Sequence, residues 1–248
     1  MTDWPAYVER FHRDHAGITE AMLTRSLDDG RNAYEWLTEP LAGGGVTVDL
    51  GCGSAPTCAL FDAGLGVDLS MGELRVARSK GRGPLVQASA EAVPLGTASV
   101  DTVTAVMSLM VVEDPAVVLA EAARLLRPGG RLAVLLPAQR PLNSVDRVRY
   151  GLLLLALGRS ALPFPHPELE PGASARLDAA GFEVISDDYR RFECEIRDRR
   201  DADLLVESLY LPGVGERRLR AARWAARHWG RDGLGVPLRR IIARRAIR

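Results

Sequence analysis

The stretch Val46–Pro56, VTVDLGCGSAP, decides how the chain is read. β-Favouring residues from Val46 to Asp49 run into a Gly-Cys-Gly turn at Gly51 and Gly53. A strand that ends in paired glycines lets the backbone come close to a ligand. A dinucleotide fingerprint needs a third glycine at position 56, where this chain has Pro56. A P-loop needs Gly-Lys-Ser/Thr, and the turn contains no lysine. The carboxylate of Asp49 beside the turn would also repel a pyrophosphate. The turn is therefore expected to face something other than a phosphate ester.

Outward from this turn the pattern alternates. Strands are expected at Thr47–Leu50, Gly64–Asp68, Leu85–Gln87, Val100–Val106 and 131–136, with helices at 57–62, 71–79 and 115–126 between them. This order implies an α/β fold with a mostly parallel sheet and helices on both faces. The helix after Asp114 is the clearest: Asp114 caps it, Pro115 suits its first position and RPGG, 127–130, ends it. Residues 4–41 read as helical, with Thr19, Ser26 and Gly30 as punctuation, and the alternation begins after Gly43-Gly44-Gly45. Beyond Pro137 the regularity lapses into one apolar helix, 150–157, and a proline-rich stretch, LPFPHPELEP, 162–171. A helix at 173–180, a strand at 182–189, helices near 202–210 and 216–229, and a closing strand in RRIIARRAI, 239–247, follow. The expectation is one domain over 1–248, made of an N-terminal helical cap (1–43), a ligand-binding core (44–137), a lid insert (138–172) and a C-terminal part of the sheet with helices (173–248).

The composition narrows the function classes. The chain has 248 residues, 47% of them apolar, which supplies a full-sized core. Thirty-two basic residues balance 32 acidic ones, so no overall attraction to nucleic acid or an acidic membrane is expected. Lys80 is the only lysine among the basic residues, a skew that fits GC-rich codon usage. Three cysteines form neither a metal pattern nor an even-numbered disulfide framework, and a reducing, cytoplasmic setting fits them. The N-terminal MTDWPAYVERFHRDH is too polar for a secretory signal. The longest apolar run, 151–158, falls far short of the ~20 residues of a membrane span. A soluble protein is expected, as a monomer or homodimer.

A second stretch, LGVDLS at 65–70, ends the next strand with Asp68. In parallel α/β sheets an acid at this place accepts hydrogen bonds from both ribose hydroxyls. A nucleoside at the strand tips, with a positively charged tail near Asp49, is the ligand that satisfies both carboxylates. S-adenosylmethionine has that combination of adenine, ribose diol, sulfonium and ammonium.

Four motifs in register now carry a resemblance: VDLGCGSAP, GVDLS, VQASAEAVPLGTASVDTV and LAEAARLLRPGGRLAVLLP. Over residues 44–137 the chain resembles the class I S-adenosylmethionine-dependent methyltransferases of the small-molecule type. The resemblance implies a Rossmann-like sheet of seven strands with the last antiparallel. It also implies Gly51, Cys52 and Gly53 against the methionine moiety, Asp49 near its amine and Asp68 on the ribose. Leu69 would pack on adenine, Ser89 and Ala90 would lie at its edge, and the Met107 carbonyl would approach the amine. Two positions depart from the pattern: Ala55 stands where many relatives have glycine, and Ser89 where they commonly carry Asp. Cys52 is expected to pack beneath the turn rather than react.

Methyl transfer requires chiefly proximity, and a general base only when the acceptor must lose a proton. No histidine follows the fourth strand, so His12, His15 and His166 are the base candidates, each equally readable as a surface or capping residue. A small-molecule acceptor, in secondary metabolism, is the favoured reading. The Arg-rich segment from Arg217 with Trp224 and Trp229 raises RNA as a rival acceptor, although Leu219, Ala222, Ala226 and Trp229 recur at helical spacing and make its arginines a solvated face. Binding of S-adenosylmethionine without methylation, by a cyclase or a sensor, is the third class. No metal is expected, because no carboxylate-rich ligand set is recognisable.

Overall fold

A computed structural model describes residues 2–41, 45–229 and 233–247. Gly43 and Gly44, used above as landmarks, lie outside the described residues. The chain opens with α1 (Trp4–Asp14) and α2 (Ile18–Arg25), then a short hairpin of β1 (Ser26–Asp28) and β2 (Arg31–Asn32), then α3 (Ala33–Thr38). The hairpin was not expected in a helical stretch. Its cause is the Asp29-Gly30 pair, whose φ angles of 51° and 75° are both left-handed, as a two-residue hairpin turn demands.

From there the expected alternation appears. It comprises β3 (Thr47–Leu50), β4 (Gly64–Asp68), α4 (Met71–Ser79), β5 (Leu85–Gln87), β6 (Val100–Val106), α5 (Pro115–Leu125) and β7 (Leu126–Pro137). Only a 3-10 turn, Cys58–Leu60, stands where a helix at 57–62 was expected. In α5, Asp114 accepts a hydrogen bond from the Ala116 amide at 2.8 Å and Pro115 occupies the first turn. The RPGG segment ends α5 but belongs to β7, which starts at Leu126 and shifts register against β6 between Val100 and Thr102. The C-terminal part adds α6 (Ser144–Leu157), α7 (Leu169–Ala179), β8 (Phe182–Cys194), α8 (Arg199–Glu207), α9 (Glu216–Arg227) and β9 (Leu234–Arg245).

Among the described residues nine strands join one sheet, in the order β2-β1-β8-β9-β7-β6-β3-β4-β5. The segment from β3 to β9 is the expected set of seven, with the last strand, β9, antiparallel to both β7 and β8. The β1–β2 hairpin adds two strands beyond β8, so the sheet has nine rather than seven. Side chains of β7 alternate between two cores. Leu132, Val134 and Leu136 pack with Val118, Leu125 and Leu177 on one face, while Ala133 and Leu135 pack with Trp36, Leu37 and Phe192 on the other.

A third core explains the segment 138–172. Helix α6 begins earlier than expected because Asn143 and Asp146 form a capping box. Its Leu153 and Leu157 are buried in one core with Leu205, Ala222 and Ala226, in which α6 packs on α9 and α9 on α8. The apolar helix of the expected lid is thus a core helix. Arginines of the C-terminal segment are likewise engaged: Arg223 with Asp203, Glu207 and Glu216, Arg239 with Asp187, and Arg240 with Asp188.

Asp146 ties this third core to the sheet. It is fully buried and accepts hydrogen bonds from Arg191 through both oxygens (2.6 and 3.0 Å) and from the Gly235 amide (2.8 Å). Burial pushes its carboxyl up, but these bonds outweigh that and hold its pKa below the ordinary value. Its contribution is therefore full above the ordinary carboxylate range and is lost as pH falls through the depressed value. Asp146→Ala is expected to cost about 3 kcal/mol in denaturant unfolding at neutral pH, by removing the buried partner of Arg191, which keeps only Glu193, and by stranding the Gly235 amide.

Candidate functional site

The C-terminal tips of β3, β4, β5 and β6 open into a cleft of about 1010 Å³, roofed by α1 and by Pro165 and His166. Such a crevice outside the carboxyl ends of parallel strands is where α/β sheets bind ligands. Its floor is the glycine turn. Gly51 and Gly53 have φ of 67° and 54°, and a Cβ on Gly51 would sit 2.6 Å from that of Ser108. Only glycine lets the turn cross the loop after β6. Ala55, the departure noted above, also adopts a left-handed φ of 55°, the conformation for which glycine is favoured.

Asp68 organises the cleft. One carboxylate oxygen accepts the Gly53 amide and the other the Ser70 amide, each at 2.7 Å. Each oxygen keeps a second lone pair for a ligand hydroxyl. Burial raises its pKa, Glu73 adds to the rise, and its two amide donors and His12 oppose it. Leu69, beside it on the cleft wall, is 66% exposed, an apolar surface open to a planar group. Ser89 and Ala90 line the same end, and Met107, held at a left-handed φ of 54°, lines the floor with Ser108. Cys52 contributes to the cleft, while its thiol packs with Cys58, Leu74 and Ala77, where burial pushes its pKa far up.

Asp49 does not sit where the reading from sequence put it. It is 1% exposed, lies beneath the cleft floor rather than along it, and accepts a hydrogen bond from Thr104 Oγ1 at 2.6 Å. The reason is strand alternation: Val48 and Leu50 face the α5 core, so Asp49 points to the opposite face. Burial, with a smaller push from Asp68, raises its pKa to about 7, while Thr104 and Thr57 oppose the rise. Thr57 lies near the carboxylate but makes no hydrogen bond of good geometry to any protein atom. Direct contact between Asp49 and a ligand amine does not follow from this geometry; its field does reach the cleft.

The three histidines part company. His12 lines the cleft, with Nδ1 2.9 Å from Glu73 Oε1 and Nε2 2.9 Å from the Tyr210 hydroxyl. A carboxylate only accepts, so Nδ1–H donates to Glu73 and, in the neutral ring, Nε2 accepts from Tyr210. His166 lines the cleft too, its Nε2 3.0 Å from the Val112 carbonyl oxygen. His15 does not; it stacks on Phe11 with Nδ1 3.3 Å from the Phe11 carbonyl.

Sequence reasoning missed Glu73, Glu20, Tyr34 and Trp4, all on the cleft wall. Glu73 had a signal: Ser70-x-x-Glu73 reads as a capping box, and Ser70 Oγ does accept the Glu73 amide at 3.4 Å. The Glu73 carboxylate, however, accepts from the Gly17 amide (2.9 Å) and from His12, tying α4 to the N-terminal segment. For Glu20, burial pushes the carboxyl up, but hydrogen bonds from Arg82, Lys80 and Ser54 overcome it and leave a pKa of about 2. No group of three or more His, Cys, Asp or Glu fit to hold a metal occurs among the described residues.

Taken together, the cleft offers a carboxylate with spare acceptors, an open apolar wall, a close-approach backbone turn and no arginine or lysine on its lining. That chemistry suits a ligand with vicinal hydroxyls and a cationic tail, and it disfavours a phosphate ester.

Comparison with known proteins agrees. The family model for a methyltransferase domain matches residues 48–134. Over 106 residues the chain is 38% identical to the ubiquinone/menaquinone biosynthesis C-methyltransferase UbiE of Syntrophotalea carbinolica, a stretch covering 38% of this chain and 45% of that protein. The chain therefore spans less than half the length of the curated relative it matches. Among solved structures it is similar to the (4+2)-cyclase SpnF, with TM-score 0.60 and 20% identity over 97% of this chain and 96% of that one. It is also similar to a possible histamine N-methyltransferase from Thermotoga maritima, with TM-score 0.56 and 17% identity over 97% and 99%. At such identities the likeness speaks for the fold alone.

The buried Asp49 gives a pH signature. Its folded pKa of about 7 lies above the ordinary 3.8, so between those values the folded state binds the extra proton. Stability must then fall as pH rises through that window, by up to about 1.4 kcal/mol per pH unit, and remain lower above it. Denaturation at a series of pH values is expected to show this loss in the native chain, and Asp49→Asn is expected to lack that component.

Proposed function

This chain belongs, through residues 48–134, to the class I S-adenosylmethionine-dependent methyltransferase family, and on that premise we propose that it methylates a small-molecule acceptor bound in the cleft. The observation that carries the reading is the Asp68 carboxylate, tethered by two amides at the tip of β4 with lone pairs to spare. When bound, S-adenosylmethionine supplies an electrophilic methyl group: the acceptor's lone pair forms a bond to carbon, the C–S bond breaks, and sulfur takes that pair to give S-adenosylhomocysteine.

The chain's own residues divide the remaining work. Asp68 would accept the two ribose hydroxyls, Leu69 would pack on the adenine, and Ser89 and Ala90 would lie at its edge. The turn at Gly51, Cys52 and Gly53 lets backbone meet the methionine moiety, with the Met107 carbonyl beside its amine. Asp49 acts on the cationic tail from below through its field rather than by contact. Glu73 and Tyr210 hold both ring nitrogens of His12, which leaves that ring no free nitrogen for proton abstraction, whereas His166 donates Nε2–H to the Val112 carbonyl and keeps the Nδ1 lone pair, 3.6 Å from Glu168 Oε1. Catalysis rests on proximity, with the acceptor ~3–3.5 Å from the methyl carbon in a cleft closed by α1.

RNA is the weaker acceptor. Arg223, Arg239, Arg240 and Arg244 are committed to acidic partners within the chain, and the cleft lining carries no arginine or lysine to receive a phosphate backbone. The three cysteines are free and buried, which suits a reducing cytoplasm. No described helix is long and apolar enough to cross a membrane.

Calorimetry tests the reading. S-adenosylhomocysteine is expected to bind, and Asp68→Ala to weaken it by about 1–3 kcal/mol through lost hydrogen bonds. Tight NADH binding with no response to S-adenosylhomocysteine would overturn the assignment. Turnover of S-adenosylmethionine with a candidate acceptor, followed by mass analysis of the product, separates a methyltransferase from a binder that does not transfer.

A further inference from the structure

At about 1010 Å³ the cleft lies at the upper end of the ~300–1,000 Å³ of ligand pockets, leaving room for a second molecule beside a nucleoside. Its lining includes an apolar set, Trp4 and Val8 of α1, Val111 and Val112 after β6, and Pro165. Besides Glu20, Asp68 and Glu73, the charged side chains among the described lining residues are Asp3, Glu9, Glu91 and Glu113, all negative, with no arginine or lysine. Asp3 is spent capping α1 through the Ala6 amide, and Glu91 accepts the Asp114 amide at 3.0 Å. Glu9 and Glu113 are exposed and make no ion pair or hydrogen bond with the described residues. Arg10 and Arg13, on the same helix as Glu9, lie off the cleft wall. The chain as a whole carries as many basic residues as acidic ones, 32 of each, so this one-sided lining is a property of the cleft.

Low-dielectric walls concentrate the field of like charges within a cleft. Uncompensated carboxylates around an apolar wall attract an organic cation, admit a neutral molecule and repel an anion. We propose that the methyl acceptor is an apolar molecule bearing a positive charge or none, and that Glu9 and Glu113 impose this choice by excluding carboxylates and phosphates. The proposal deepens the methyl-transfer reading and rests on it. Exclusion by unlike and like charge acts on encounter and register, so removing the two carboxylates relaxes discrimination without reshaping the pocket.

One ring system in three charge states provides the test. Protein saturated with S-adenosylhomocysteine is titrated by calorimetry with tryptamine, indole and indole-3-acetate at ~50 and ~500 mM salt, which differ several-fold in screening length. Tryptamine is expected to bind about tenfold or more tighter than indole-3-acetate at low salt, with indole between them. The gap is expected to shrink at high salt and in the Glu9→Gln, Glu113→Gln double variant, in which binding of S-adenosylhomocysteine reports an intact fold. Equal or tighter binding of indole-3-acetate overturns the proposal. So does a gap that survives in the double variant, or the absence of binding by all three ligands. Failure of S-adenosylhomocysteine itself to bind would instead overturn the methyl-transfer reading on which the proposal stands.

Discussion

One carboxylate holds the cleft together. Asp68 closes the tip of β4 by accepting amides from both sides, Gly53 of the turn after β3 and Ser70 at the start of α4. The two loops that frame the nucleoside position are thereby fixed to each other before any ligand arrives. The glycine turn is fastened to β4 at a second point as well, where the Gly51 and Cys52 amides both donate to the Val67 carbonyl at 2.8 and 3.0 Å. The same carboxylate is desolvated, and a ribose diol would return the hydrogen bonds that burial removed. Structure and recognition thus use different lone pairs of one group.

Around that tether, buried polar groups join segments far apart in the chain. Glu73 brings α1 onto α4 through His12 and Gly17, and Tyr210 approaches the same histidine from the C-terminal part. Glu20 gathers Lys80, Arg82 and Ser54, so the chain's only lysine serves as a structural cation. Asp146 does the equivalent for α6 and the end of β9. These contacts help bind the roof and the third core to the sheet, and each is made by an acid whose partner lies 34 or more residues away or on a backbone amide.

The parallel core was legible in the sequence because its signals are local. Strand alternation, the Asp114-Pro115 helix start and the paired glycines each act within a few residues, and Gly64–Asp68, Met71–Ser79 and Val100–Val106 fall where the pattern puts them. The antiparallel β9 was visible only as an apolar run among arginines, and its bounds came out short. The β1–β2 hairpin was hidden, although Asp29-Gly30 is a recognised hairpin pair, because its strands are three and two residues long and carry no alternation. At the site, Asp68, Leu69, Ser89, Ala90 and Met107 line the cleft, whereas Asp49 is one layer too deep. Sequence shows that an acid precedes the turn; only the pleat decides which face receives it. Long-range pairings such as His12 with Glu73 leave no trace in a single sequence.

The way the sheet stops on either side has a further consequence. Its two outermost strands, β2 and β5, are among its three shortest, with two and three residues. Pro84, immediately before β5, has no amide proton to donate. On the β5 border a neighbouring molecule seeking to extend the sheet by strand addition would find a ladder of only three residues, whereas on the other border the hairpin pairs with β8 at Glu193 and Cys194 alone, although β8 is 13 residues long. The small hairpin thus works as a bumper for one end of β8 and leaves the outer ladder of the rest of that ribbon uncovered by β1.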